Sequence, residues 1–250
     1  MPSVTREQAI HRVCSDIFWR DFARPESERV PLTRESANAL FISCLVNRHI
    51  GWERAMNLVT EMKMRSGYTD TLRMFSEQSA AMIEWDMFAK PALHRYHYMA
   101  DYCHLAACGI RDEYNGDTRN LWQRQGDCPT GSQVMARVMD FKGYGSKTAS
   151  LFLRVACLVH NVRLFDSFQG IMPADDRHVR RVGARLGLFA EDASVKVIND
   201  VAVRLDVVCP ATLDALFAIG RGWCTASNTF CRRNGEGEPC PLVAVCPSRR

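Results

Sequence analysis

No run of roughly 18 consecutive apolar residues occurs anywhere in the 250-residue chain, so the sequence offers no helix that would span a bilayer. Nor does an apolar core follow Met1, because Arg6, Glu7, His11 and Arg12 interrupt it. That pattern predicts a protein that is not secreted and has no membrane partner. There is no internal repeat, no low-complexity tract and no clean apolar–polar alternation of the kind a half-buried strand requires. No block of like charge stands out either: charged residues make up 24%, and the net charge is +4 with a pI near 8.5. Such a balance permits a polyanionic partner without requiring one. With 47% hydrophobic residues the chain can bury a core, either as one large domain or as two small ones.

Cysteine is abundant, at 11 residues. In a reducing compartment that number points to metal ligation rather than to a disulfide framework. Cys14, Cys44, Cys103, Cys108, Cys128, Cys157 and Cys209 are scattered, several within apolar helical stretches, and are expected to be small core hydrophobes. The remaining four cluster after position 223.

Helical periodicity dominates and predicts an all-α fold. Thr33 is a candidate N-cap for a helix whose Ala37, Leu40, Phe41, Cys44 and Leu45 share one face. Further helices are expected over Trp52–Met64, over Tyr96–Ile110 with an end near Gly109, through Val134–Met139, and over Ser146–His160. Val195–Leu205 marks another, and Thr212 is expected to cap one that runs to Gly220. Residues 115–117, 125–131, 166–176 and 235–239 are read as loops or turns from their Gly, Asp and Pro content.

Between two of these helices lies Phe141-Lys142-Gly143-Tyr144-Gly145-Ser146-Lys147-Thr148-Ala149. Gly143 and Gly145 permit a tight hairpin and a close approach of its backbone to another molecule. The amides opening the next helix, at Ser146 and beyond, could then hold a phosphate. An ordinary helix–helix turn is the simpler reading of the same residues. Lys147, in the first turn, would feel the positive end of the helix dipole, and partial burial would also disfavour its charge. A neutral amine there is suited to attack on a sugar C1′, while a phosphate-contacting lysine is the plainer alternative.

Downstream, Asp175-Asp176-Arg177-His178-Val179-Arg180-Arg181-Val182 opens a helix. A carboxylate at that position is a common N-cap. It could equally activate an amine or a water and stabilise a developing sugar cation. Arg177, Arg180, Arg181 and Arg185 give the helix a basic face, either solvated or turned toward phosphate. At the end of the chain, Cys224, Cys231, Cys240 and Cys246 are separated by six, eight and five residues. A zinc site usually shows short C-x2-C knuckles, and none is present. Four thiolates in one compact loop suit a cubane cluster instead, with zinc as the alternative.

Taken together, these segments resemble the helix-hairpin-helix glycosylases of the endonuclease III superfamily. The hairpin is similar to the family's Leu-Pro-Gly-Val-Gly-x-Lys-Thr-Ala, with Lys142 where proline is usual and Lys147 at the lysine of lyase-competent members. Asp176 matches the family's aspartate in Val-Asp-x-His-(Val/Ile)-x-Arg-Val. The cysteines resemble its iron–sulfur loop, C-x6-C-x2-C-x5-C, with the middle interval expanded. The connection from Lys147 to Asp176 is longer than in endonuclease III, the extra residues falling around 163–174 beside the expected pocket.

What the resemblance implies is a two-lobed, all-α protein that carries a [4Fe-4S] cluster and acts on double-stranded DNA containing a damaged or modified base. Residues 34–175 would form a central helical domain with the hairpin at 131–160. Residues 1–33 plus 176–250 would form the second lobe with the cluster loop at 224–246. Lys147 and Asp176 would be catalytic on a nucleotide flipped out of the duplex. Gly143, Gly145, Ser146, Asn47, Arg48, Arg177, Arg232 and Arg233 would contact DNA, with Asn47 and Arg48 also readable as an ordinary polar helix end. The implied activity is a glycosylase with AP-lyase chemistry. The alternatives are a monofunctional enzyme in which Asp176 activates water, a non-catalytic DNA-binding module, and an enzyme acting on free nucleosides. The protein is expected to be monomeric and intracellular, cytoplasmic and nucleoid-associated if prokaryotic.

Overall fold

The computed structural model describes residues 5–21, 23–48, 50–89, 91–123, 128–166, 176–205, 211–225, 231–233 and 236–248. Among them are the helices α1 (Arg6–Asp21), α2 (Arg34–Val46), α3 (Trp52–Ser66), α4 (Thr71–Glu77), α5 (Ala80–Phe88) and α6 (Tyr98–Glu113). They are followed by α7 (Gly131–Met139), α8 (Ser146–His160), α9 (Arg177–Arg185), α10 (Val195–Leu205) and α11 (Ala211–Gly222). A two-stranded antiparallel ribbon, β1 (Arg232–Arg233) and β2 (Glu236–Pro239), is the only sheet among the described residues. The all-α expectation therefore holds. The one local departure is the stretch read as a Gly-Glu turn, whose residues 236–239 pair as a strand. No helix among the described residues is long and apolar enough to cross a membrane.

The chain divides into two compact units, Val30–Ile171 and Met1–Arg29 with Met172–Arg250. In the first, α2 supplies the centre. Thr33 caps it through a reciprocal pair with Ser36, and nine residues from Ala37 to Val46 are buried. Each turn of a helix sheathed on all sides must be apolar or paired. Accordingly Asn38, fully buried, accepts from Thr118 N at 2.9 Å and from Thr118 Oγ1 at 2.8 Å. This pins the helix to the turn in which Asn115 and Gly116 adopt positive φ.

Helix α6 runs through Gly109 rather than ending near it. A Cβ at that position would lie 2.8 Å from Phe141 Cε1, so this glycine gives a ring room and does not stop a helix. In the second unit, Val179, Val182 and Leu186 of the α9 segment pack with Ile10, Cys14, Ile198, Leu216 and Ile219. Thr212 lies buried inside α11, not at a cap. Of the scattered cysteines, Cys14, Cys44, Cys103 and Cys157 are buried as expected. Cys108 is only half-buried and Cys128 is exposed, while Cys209 lies outside the described residues.

Candidate functional site

The hairpin between α7 and α8 is held by rings. Phe41 stacks on Tyr144 at 4.7 Å and meets Phe141 edge-on at 5.1 Å and Phe152 at 5.4 Å. The Tyr144 hydroxyl donates to Phe41 O, and burial pushes that phenol well above its ordinary range. Within the turn, Tyr144 N donates to Phe141 O at 3.0 Å. Gly143 has φ +96°, and a Cβ there would stand 2.5 Å from Tyr102 Cδ2 and 2.9 Å from Leu45 Cδ1. Both conformation and packing require glycine. Gly145 differs: at φ −100° it is the N-cap of α8, and nothing lies within 4 Å of an added Cβ. Its lack of a side chain leaves the first turn of α8 without a side-chain cap. Ser146 and Lys147 occupy that turn and are exposed, so the partial burial expected for Lys147 is not found. Lys142 is also exposed, its Nζ 5.5 Å from the Tyr102 ring centre.

In the same unit, Asn47 is the C-cap of α2, its N donating to Cys44 O at 3.3 Å, and Arg48 beyond it is exposed. His94, buried, supports this end: its Nε2 contacts Val46 O at 3.1 Å while Nδ1 accepts from Tyr96 N at 3.0 Å. With Nδ1 accepting, the proton belongs on Nε2. Burial lowers the pKa of His94, so the neutral ring is favoured. Sequence reasoning passed over His94; only the surrounding backbone gives it a task. Asp166, within the stretch read as a loop, accepts from Gly131 N at 2.7 Å and so belongs to the start of α7. The rest of the inserted stretch, 167–174, and Asp175 lie outside the described residues.

In the other unit, Asp176 is the N-cap of α9 and its Oδ1 accepts from His178 N at 2.7 Å. The basic face expected on this helix is mostly committed inward. Arg180 donates to Glu191 O and Ala193 O, at 3.1 and 2.7 Å. Arg181 donates to Cys224 O at 2.8 Å and to Gly220 O at 2.9 Å. Arg185 donates to Cys224 Sγ at 3.0 Å and to Thr225 O at 3.2 Å. Arg177 alone of the four is fully exposed. Arg232 and Arg233 form β1, and their side chains lie outside the described residues.

Cys224, Cys231, Cys240 and Cys246 all line one cavity of about 280 Å³, together with Arg185 and Leu242. Cys240 N donates to Cys231 O at 2.7 Å, and Cys246 N to Leu242 O at 2.9 Å, so the loop is closed by its own backbone. Burial, augmented by the neighbouring cysteines, pushes the Cys240 thiol up to about 11, and Cys246 is raised for the same reasons. A resident cation would reverse that by favouring the thiolates. Among the described residues no three His, Cys, Asp or Glu side chains form a group that could hold a metal ion. The cavity exceeds the ~150 Å³ that accommodates a benzene ring. Four thiols with no imidazole or carboxylate in the lining are the donor set of an iron–sulfur cluster or of a four-cysteine zinc site.

No protein-family model matches the sequence, and no curated protein does. Solved structures do. A trapped endonuclease III–DNA covalent intermediate, an estranged-adenine complex, superposes with a TM-score of 0.59 at 19% identity, covering 98% of this chain and 97% of its own. A thermostable thymine-DNA glycosylase gives 0.59 at 13%, covering 97% and 96%. An 8-oxoguanine glycosylase/lyase from Clostridium acetobutylicum gives 0.50 at 13%, covering 73% of this chain and 59% of that one. The fold of this chain is therefore that of the helix-hairpin-helix DNA glycosylases, retained over almost its whole length. At such identities the likeness is one of fold, and the chemistry must be argued from the residues.

Proposed function

We propose that this chain is a DNA glycosylase of base-excision repair with AP-lyase activity, acting as a monomer on double-stranded DNA that contains a damaged base. The observation that carries the reading is the hairpin. Gly143 is forced to glycine by its φ of +96° and by Tyr102, and the following helix opens on Gly145 with no side-chain cap and an exposed Lys147. A helix start without a side-chain cap suits a DNA phosphate, a contact that fixes register without reading sequence. Gly143, Gly145 and Ser146 form this phosphate contact, supported by Asn47 and Arg48, and Arg177 in the other unit is assigned to DNA separately. Arg232 and Arg233 are assigned to the duplex backbone as well.

Lys147 is the nucleophile. Its Nζ attacks C1′ as the bond from C1′ to the base breaks, and the departing base takes up a proton. The C1′–O4′ bond then opens, O4′ taking up a proton, and the protonated Schiff base that results loses a C2′ proton as the C3′–O bond breaks, nicking the strand. Asp176 assists as the carboxylate that stabilises the sugar cation. Cys224, Cys231, Cys240 and Cys246 hold a [4Fe-4S] cluster, whose bound form supplies a fixed framework for the C-terminal loop and a one-electron couple.

Borohydride trapping on an oligonucleotide panel with one lesion each tests the assignment. Wild type should give a covalent adduct on at least one lesion, and Lys147→Ala should give none. Absence of an adduct from wild type, or its persistence in K147A, refutes the lyase role. The exposure of Lys147 favours one second reading, a binding module in which this lysine meets a phosphate. Retained duplex affinity without base release from any lesion would select it.

A further inference from the structure

Arg185 stands in the last turn of α9 and lines the cysteine cavity. Its Nη1 donates to Cys224 Sγ at 3.0 Å and to Thr225 O at 3.2 Å. Its own carbonyl accepts from Cys246 Sγ at 3.7 Å and from Ser248 Oγ at 2.9 Å. One residue thus meets the first and the last of the four cysteines. Among the described residues no carboxylate meets this guanidinium, so its charge is answered by sulfur and carbonyl oxygen alone. Its neighbours on the helix do otherwise. Arg180 is spent on Glu191 O and Ala193 O, and Arg181 reaches the carbonyl of Cys224, not its sulfur.

We infer that Arg185 sets the reduction potential of the iron–sulfur cluster by hydrogen bonding to the sulfur of one ligand. This rests on the cofactor reading above. Four thiolates around a dicationic core leave the assembly anionic, and an added electron makes it more so. A fixed positive N–H donor at a ligand sulfur stabilises the reduced state more than the oxidised one. Guanidinium is suited to this because it stays charged and its fork is rigid. Loss of the donor therefore moves the potential to more negative values. The step is a one-electron exchange at the core, with an electrode as electron source and sink and no proton or ligand exchanged.

The test compares wild type, R185Q, R185K and R180Q, each reconstituted anaerobically with iron and sulfide. Iron content and absorption near about 400 nm report loading, and protein-film voltammetry reports the potential. R185Q should favour the oxidised cluster about tenfold relative to wild type, a shift of about 59 mV for one electron. R185K keeps a charge but not the fork and should shift about threefold, on the scale of a charge-assisted hydrogen bond partly kept. R180Q should stay at the wild-type value.

A loaded R185Q at the wild-type potential overturns the inference and leaves the cluster standing. So does an equal shift in R180Q, which would make the effect one of net charge. If R185Q takes up no iron, R185K decides in its place, an unchanged potential refuting the assignment. If wild type itself takes up no iron and sulfide, the cofactor reading falls and the inference falls with it.

Discussion

In Val30–Ile171 aromatic rings hold the functional turn in place, whereas in the other unit arginines do the holding. Phe41, Phe141, Tyr144 and Phe152 pack ring against ring beneath the hairpin. Around α9, by contrast, Arg180, Arg181 and Arg185 reach backbone carbonyls, and Arg185 also reaches a thiol at the edge of a cavity. Apolar packing is complete in itself, since the rings need no partner from outside. In the other unit four thiols share one cavity, and burial beside one another raises Cys240 and Cys246.

The contrast can be broken by paired substitutions. Cys240→Ser should abolish iron binding and remove most amide-exchange protection from α9 to α11, while α2 to α8 stay protected. Phe41→Ala should do the reverse, costing the hairpin unit about 3–5 kcal/mol with iron content unchanged. If either substitution melts both units together, the division of labour is wrong. Gly143→Ala comes next in size. Positive φ and the clash with Tyr102 should cost about 1–3 kcal/mol in denaturant melts, with a loss of duplex affinity by fluorescence anisotropy. Gly145→Ala should cost less in both assays, because its Cβ meets nothing.

The smallest effect sharpens the comparison at a single ring. Burial lowers the pKa of His94 below its ordinary 6.5. As pH falls through 6.5 the unfolded chain takes up the proton first, so the stability gained by keeping His94 neutral declines. The decline ends once the folded ring protonates too. Urea midpoints between about pH 8 and pH 5 should fall in wild type and fall less in His94→Gln. An equal slope in both would remove His94 from the account.

How far the sequence could be read depended on whether a residue's neighbours were local. The extent of α8, Ser146–His160, and the Thr33 cap of α2 follow from spacing and from the polar residue at the start. Helices α1, α4 and α5 were not anticipated, since short or weakly periodic stretches declare themselves only when packed. Gly109 misled because Phe141, its reason, lies 32 positions on. The hairpin glycines and the four cysteines were visible as patterns, yet the difference between Gly143 and Gly145 was not, because Tyr102 decides it. The arginines of α9 looked like a face for phosphate, and three of them turned inward to carbonyls that no sequence pattern could announce.

The ribbon between Cys231 and Cys240 bears on how such chains diverge. Arg232 pairs with Pro239, and Cys240 N reaches back to Cys231 O at 2.7 Å, so the intervening residues leave and return at one point. Whatever lies between can lengthen or shorten by whole rungs without moving either thiol, and the entropic penalty grows only slowly with length. Residue intervals in this loop are thus free to drift over generations while the cage they encode persists, and kinship judged by cysteine spacing would be lost before the cage was.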